Sequence, residues 1–195
     1  RENALTLDYR ATSDRPTVVN LTNHAYFALQ GEGNGDVSDE RLQVFADRYT
    51  PSSPDNLPTG EMASVTGTPL DFRTPTAIGA RIESNDAQMK LGAGYDHNFV
   101  VNHKTAGALA RAARVTGPKS GRVLEVRTTE PGVQFYSANW LDNVGKHGHK
   151  YSKHDAFCLE TQHYPDSPNK PSFPTTTLRP GQTFHSQTVY AFSVQ

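Results

Sequence analysis

The chain has 195 residues, with 19 Lys and Arg against 20 Asp and Glu, which gives a formal net charge of -1. This balance argues against nucleic acid and anionic membranes as partners, since both are bound through clustered positive charge. No apolar run approaches the roughly 20 residues that cross a bilayer. The single cysteine, Cys158, excludes an internal disulfide framework. We therefore expect a soluble protein with no nucleic-acid or membrane partner.

Short apolar runs bounded by glycine and proline recur along the chain, a pattern typical of antiparallel strands. Residues 3–9 alternate as a first strand, and a turn at 14–16 leads into a second strand over 17–21, so the two predict a hairpin. Further strands are predicted near 42–44, 98–101, 109–116, 124–128, 133–136, 156–161 and 188–194. Only 74–79 and 85–91 indicate short helices. The sequence predicts one all-β domain, an antiparallel sandwich of eight or nine strands.

Three histidines, His147, His149 and His154, lie in one polar stretch with the spacing H-x-H-x4-H. Lysines flank them, and neither an HExxH helix nor a cysteine pair accompanies them, so a solvated loop is a better interpretation than a zinc site. The glycine pairs at 31–33 and 92–94 lack the following helix that would bind a phosphate. We predict no metal site from these motifs.

Four segments place polar residues where a β domain otherwise has apolar ones. His24 lies between strand residues and aromatics, and Asp96 follows a glycine turn. Gln134 is out of phase with its apolar neighbours, and Glu160 shares a strand face with Cys158. Taken singly, each of the first three has a structural explanation: a hydrogen-bonded core histidine, an Asx turn and an outward polar residue.

Together, these four residues predict a concave sheet face with aromatic side chains nearby. The aromatic candidates are Tyr26, Phe27, Phe135, Tyr136 and Trp140. Neutral and acidic polar groups over aromatic surface suit a sugar, whereas an anionic ligand would require arginine and lysine. Carbohydrate is therefore the expected ligand class. A glycosylation sequon begins at Asn20, and its place between an apolar strand and the aromatics predicts burial.

Six motifs resemble the aldose 1-epimerase family, also called galactose mutarotases. They are NLTNHAYFAL (20–29), PTGEMASVTGTPLDFR (58–73), GYDHNFVV (94–101), RVLEVRTTEPGVQFYSANWLD (122–142), FCLETQHYPDSPN (157–169) and FPTTTLRPGQTF (173–184). The similarity covers nearly the whole chain in the family's order. It implies a galactose-mutarotase-like antiparallel β-sandwich that interconverts the α and β anomers of free aldoses such as galactose and glucose, in hexose metabolism.

The resemblance also implies roles for particular residues. By position, His24 matches the family's general acid and Glu160 its general base. Asp96, Gln134 and Tyr26 match residues that bind the substrate or lie in the motif around the acid. The implied reaction needs no metal and no organic cofactor, and its small-molecule partner is an aldose sugar.

The family pattern also has an earlier portion, with an Asn-Arg pair and a His-Gly-Gly motif, that has no counterpart here. We therefore expect residues 1–195 to be the C-terminal part of a single domain that lacks its N-terminal strands. We expect the preceding segment to exist either as a separate chain or as residues outside this sequence. The chain starts at Arg1 with no readable targeting signal. The compartment therefore stays open, with a slight preference for the cytoplasm.

Other functions are compatible with the same fold. A non-catalytic carbohydrate-binding or sensor module would need neither an acid nor a base. An epimerase of hexose phosphates would need clustered arginines, whereas Arg41, Arg48, Arg73 and Arg81 are dispersed in sequence. A purely structural protein accounts least well for four polar segments that fit one chemistry.

Overall fold

A computed structural model describes residues 3–195, so the first two residues of the predicted 1–195 unit lie outside the described part. In chain order the strands are β1 (Ala4–Ala11), β2 (Thr17–Val18), β3 (Tyr26–Phe27), β4 (Arg41–Val44), β5 (Ala46–Tyr49), β6 (Ala63–Ser64), β7 (Thr76–Ala77), β8 (Asp96–Val101), β9 (Ala110–Thr116), β10 (Arg122–Thr128), β11 (Gly132–Tyr136), β12 (Asn143–Val144), β13 (Lys150–Tyr151), β14 (Phe157–Gln162), β15 (Thr177–Leu178) and β16 (Phe184–Val194). One short helix, α1 (Ala87–Gly92), and three 3₁₀ turns (Ile78–Ala80, Lys146–Gly148 and Ser167–Asn169) complete the described elements. None of these helices is long and apolar enough to cross a membrane.

Two antiparallel six-stranded sheets form the body of the structure. The first has the order β1-β16-β10-β9-β4-β7 and the second the order β3-β14-β11-β8-β5-β6. Two further strand pairs, β12 with β13 and β15 with β2, lie outside these sheets. The all-β antiparallel fold predicted from alternation is thereby confirmed.

The hydrophobic core lies between the two sheets. Leu124 and Tyr190 of the first sheet belong to the same buried cluster as Phe99, Phe135 and Leu159 of the second. In both sheets, alternate residues turn inward to this cluster, as the two-residue period of a strand requires. The opposite face of each sheet is thus left for polar residues.

Two local predictions are wrong. The predicted hairpin of residues 3–9 with 17–21 does not form, because β1 pairs with the distant β16 and β2 pairs with β15. The eight-residue register between β1 and β16 outweighs the local turn. The predicted helix over 74–79 is instead strand β7 followed by a 3₁₀ turn, since β7 completes the edge of the first sheet beside β4.

The second predicted helix is confirmed as α1. The Asp86 side chain caps its N-terminus by accepting a hydrogen bond from the Gln88 N–H. The helix ends at Gly92 and is followed by the C-cap residue Ala93, which has left-handed backbone angles. This short helix precedes β8 directly and so contributes to the surroundings of Asp96, the first residue of that strand.

Candidate active site

The outward face of the second sheet is polar along three neighbouring strands. Gln134 on β11 lies directly between Asn98 on β8 and Glu160 on β14 in the strand register. Residues directly opposite each other in antiparallel strands point to the same side of the sheet. We call this surface the polar face and define it by Tyr26, Asp96, Asn98, Gln134, Tyr136, Cys158 and Glu160.

His24 and Glu160 meet on the polar face. The Nε2 atom of His24 lies 3.3 Å from the Oε1 atom of Glu160. The Glu160 side chain is only 11% exposed, whereas the His24 side chain is 49% exposed. A buried carboxylate therefore faces an imidazole that solvent or a ligand can reach. This exposure also excludes the alternative that His24 is a core histidine.

His24 belongs to a segment without regular secondary structure, and contacts on both sides of it determine its position. On one side β3 pairs with β14, with Tyr26 opposite Cys158. On the other side the Asn20 side chain donates to the carbonyl oxygen of His163 and accepts from its N–H, both at 3.0 Å. His163 directly follows β14, so the segment with the imidazole is attached at two points to the strand that carries Glu160.

Asp96 and Gln134 form a second polar pair next to the first. The Gln134 Nε2 atom donates to Asp96 Oδ1 at 2.8 Å. Burial raises the pKa of the Asp96 carboxyl, and the Gln134 hydrogen bond opposes that increase. The side-chain amide oxygens of Gln134 and Asn98 have no hydrogen-bond partner within the described chain. The face therefore keeps hydrogen-bonding capacity that other residues do not use.

A cleft of about 240 Å³ opens beside this pair. Its lining consists of polar groups and small or aromatic side chains, with no arginine or lysine among the described residues: Thr50, Ser52, Asn56, Pro58, Leu91, Gly92, Asp96, Asn98, Gln134, Trp140 and Pro165. Since Gln134 lies opposite Glu160 in the register, the cleft adjoins the imidazole–carboxylate pair. Its neutral and acidic lining suits a polyhydroxy compound better than an anion.

Aromatic rings surround the imidazole. The ring of Tyr26 lies 5.2 Å from that of His24, and Tyr136 stacks on Trp140 at 6.1 Å. Trp140 is 60% exposed. Phe27 and Phe135, which were also predicted near the site, instead point into the core, because their strand phase is opposite to that of Tyr26 and Gln134.

The electrostatic surroundings of Glu160 shift the pKa of its carboxyl. Burial raises the pKa of its carboxyl to about 7; the nearby His24 opposes this shift and Asp96 adds to it. Protonated and ionised Glu160 are therefore both populated near neutral pH. A group with its pKa near the working pH can accept and return a proton at little cost.

The histidine-rich stretch does not form a cluster of ligands. The Nδ1 atom of His154 donates a hydrogen bond to the carbonyl oxygen of Ser137, and the His149 ring packs edge-on against Tyr151. Within residues 3–195, the group of three potential metal-ligating side chains whose ligand atoms lie together consists of His24, Cys158 and Glu160.

Asn20 and Asn98 are contributors to the site that sequence reasoning missed. Asn20 was noticed only as a sequon and expected to be buried, but the residue is exposed. Its pairing with His163 spans 143 positions, which no local pattern reveals. Asn98 was assigned only to a strand. Its phase, two residues after Asp96, was the available signal that it shares the polar face.

Comparison with known proteins agrees with this architecture. A structure of an aldose epimerase homologue from C. elegans superposes with a TM-score of 0.86 at 31% identity, covering 98% of this chain and 56% of that one. Galactose 1-epimerase from Lactobacillus acidophilus NCFM gives a TM-score of 0.82, also at 31% identity, covering 99% and 54%. The fold is therefore the galactose-mutarotase-like antiparallel β fold.

Sequence comparison identifies the family. The family model for aldose 1-epimerase matches residues 1–191, and the chain belongs to the aldose 1-epimerase family. It is 45% identical to galactose mutarotase of Rattus norvegicus over 192 residues, which is 97% of this chain and 54% of that protein. It is 40% identical to aldose 1-epimerase of Escherichia coli (strain K12), over 98% of this chain and 55% of that protein. The chain thus spans about half the length of the curated relatives it matches.

Proposed function

We propose that this chain is the catalytic part of an aldose 1-epimerase, an isomerase that interconverts the α and β anomers of free aldoses such as galactose and glucose in hexose metabolism. The observation that carries the proposal is the 3.3 Å contact between His24 Nε2 and Glu160 Oε1 on a polar face beside a sugar-sized cleft. Family membership and the relatives named galactose mutarotase support the same activity.

The proposed reaction consists of two proton transfers at the two oxygens bonded to C1. Glu160 takes the proton of the C1 hydroxyl while His24 gives a proton to the ring oxygen, so the C1–O5 bond breaks and an aldehyde forms. Rotation about the C1–C2 bond presents the other aldehyde face. Ring closure with the roles reversed returns both protons and yields the opposite anomer. The sum of protons is unchanged, so one catalytic cycle leaves both side chains as they began.

The remaining predicted residues would hold the sugar. Asp96 offers acceptor oxygens to the sugar hydroxyls. Gln134 donates a hydrogen bond to the Asp96 carboxyl and so orients it. Tyr26 packs beside the His24 imidazole and limits its rotation. Orientation of this kind makes the proton transfers effectively unimolecular.

We also propose that residues 1–195 are the C-terminal part of one domain and that an N-terminal segment of the same protein completes the sugar site. The longer relatives support this, since each is matched over only 54–55% of its length. Exposed apolar side chains on β1 and β16, among them Leu5 and Phe192, offer surface for such a segment. The proposal is tested by comparing the isolated 195-residue chain with the longer protein, in intact mass and in mutarotation rate. Equal rates would contradict it.

The direct test of the activity is polarimetry of freshly dissolved α-galactose with the full-length protein. Replacing Glu160 by Gln keeps the shape of the side chain but removes the base, and we expect kcat to fall by at least about 10²-fold. The matched control is Glu125→Gln on the first sheet, where the carboxylate pairs with Arg127. Near-normal turnover of the Glu160 variant would reject Glu160 as the base, and sugar binding without any mutarotation in the wild type would indicate a sensor instead.

A further inference from the structure

Cys158 lies within the candidate site, but the proposed mechanism does not use it. It is two residues before Glu160 on β14, so both side chains emerge on the polar face. His24, Cys158 and Glu160 each offer one ligand atom, and these three atoms lie within 4.8 Å of one another. The thiol itself is fully buried.

We propose that these three side chains form a binding site for a thiophilic divalent cation of the zinc class, and that such a cation inhibits the enzyme. The inhibitory part of this proposal rests on the proposed function, because the cation would occupy the acid and the base together. The donors are one imidazole nitrogen, one thiolate sulfur and one carboxylate oxygen, which are the three side-chain donor types that zinc accepts.

The geometry fits a tetrahedral shell. Zinc bonds of about 2.0–2.3 Å place neighbouring ligand atoms about 3.3–3.7 Å apart. The nitrogen and oxygen of His24 and Glu160 are already 3.3 Å apart. The sulfur needs to approach by at most about 1 Å, within reach of a side-chain rotation. The exposed side of His24 leaves a fourth position for water, as in open zinc sites.

Charge favours a cation at this position. Two acidic side chains, Glu160 and Asp96, lie on the same face of the sheet as the Cys158 thiol. A divalent ion would displace the thiol proton to solvent and bind the resulting thiolate. With the Glu160 carboxylate, the two negative ligands balance its charge. Magnesium and calcium prefer oxygen-only shells, so they should not bind here.

The primary experiment uses Co²⁺ as a spectroscopic probe on the full-length protein. We expect a near-ultraviolet thiolate-to-metal band in the wild type that is absent in Cys158→Ser and in Cys158→Ala, with melting curves to show that each variant is folded. The His149→Gln variant, which alters the histidine-rich stretch, should keep the band. A wild-type Co²⁺ complex without the thiolate band, or a band retained in both cysteine variants, overturns the site.

The second experiment measures mutarotation with and without Zn²⁺, as a ratio within each variant so that basal activity cancels. Removing a direct ligand should raise the inhibitory Zn²⁺ concentration by at least about tenfold, since even indirect partners of a ligand contribute that much. Unchanged inhibition in both cysteine variants overturns the inhibitory role. A wild type that shows the thiolate band but no mutarotation would reject the proposed function and keep the metal site.

Discussion

The two six-stranded sheets carry similar polar side chains on their outward faces, but in different surroundings. On the first sheet, His185 Nε2 lies 3.0 Å from Asp8 Oδ2 and both side chains are more than 40% exposed. The hydrogen bond from His185 is the main cause that lowers the pKa of Asp8. On the second sheet, the similar pair of His24 and Glu160 has a buried carboxylate whose pKa is raised to about 7. Burial of the carboxylate is the difference between these two pairs.

A third carboxylate shows that a raised pKa is insufficient by itself. Glu40 is fully buried, and burial raises its pKa to about 7 as well. It accepts hydrogen bonds from the backbone N–H groups of Leu29 and Gln30 and lies outside the polar face. We therefore propose Glu160 as the reacting carboxylate because an imidazole and a cleft accompany its raised pKa, and not because of the raised pKa alone.

The matched histidines give the largest expected difference between the two sheets. His24→Asn keeps a polar side chain but cannot donate the ring-opening proton, so kcat should fall about 10²- to 10⁴-fold. His185→Asn removes the exposed partner of Asp8, and kcat should change by less than about twofold, because exposed pairs contribute little. Polarimetry on both variants makes the comparison. Similar losses in the two variants would mean that the contact on the polar face has no special role.

The pH dependence of kcat/KM should report the titration of Glu160, the buried partner of the pair. Because Glu160 must be ionised to act as a base and its pKa is about 7, kcat/KM should fall about tenfold per pH unit well below that value. The same limb should vanish in Glu160→Gln. Rates measured in steps between about pH 5 and pH 8 test this. A profile that is flat over this interval would exclude Glu160 as the titrating base.

Asn20 tests how the His24 segment is positioned. Asn20→Ala removes both hydrogen bonds to the His163 backbone, and we expect kcat to fall about tenfold with little change in KM, since small displacements of a catalytic group are costly. Asn20→Asp keeps the acceptor for the His163 N–H and should be intermediate. Asn85→Ala, at another exposed asparagine, is the control. An unchanged kcat in Asn20→Ala would show that the β3–β14 pairing alone holds the imidazole.

Glu40 should affect stability and not the reaction. Since its folded-state pKa is raised from 4.5 to about 7, its contribution to stability is present below its unfolded pKa and is lost as the pH rises through the folded value. Glu40→Gln should remove this loss in the free energy of unfolding, which is on the order of 3 kcal/mol in alkaline solution. Denaturant unfolding of the two proteins at acid and alkaline pH measures it. An identical pH dependence would contradict the assignment to Glu40.

Strand alternation predicted the polar face of the second sheet correctly at several positions. The strands at 133–136 and 156–161 are found within a residue or two of their predicted bounds, and their phase correctly put Cys158 and Glu160 on one side. Alternation could not choose partners, because strand pairing depends on packing between distant segments; hence the wrong hairpin of the N-terminal strand. Alternation also could not predict that His24 lies beside Glu160, since the two are 136 positions apart and His24 lies outside any strand.

The most direct test is a crystal structure of the full-length Glu160→Gln variant with galactose bound, since slow turnover preserves the complex. The account predicts that the anomeric oxygen lies within about 3.2 Å of the side-chain amide at position 160 and that the ring oxygen lies within about 3.2 Å of His24 Nε2. A sugar bound with C1 turned away from both side chains, or bound in a different cavity, would contradict it.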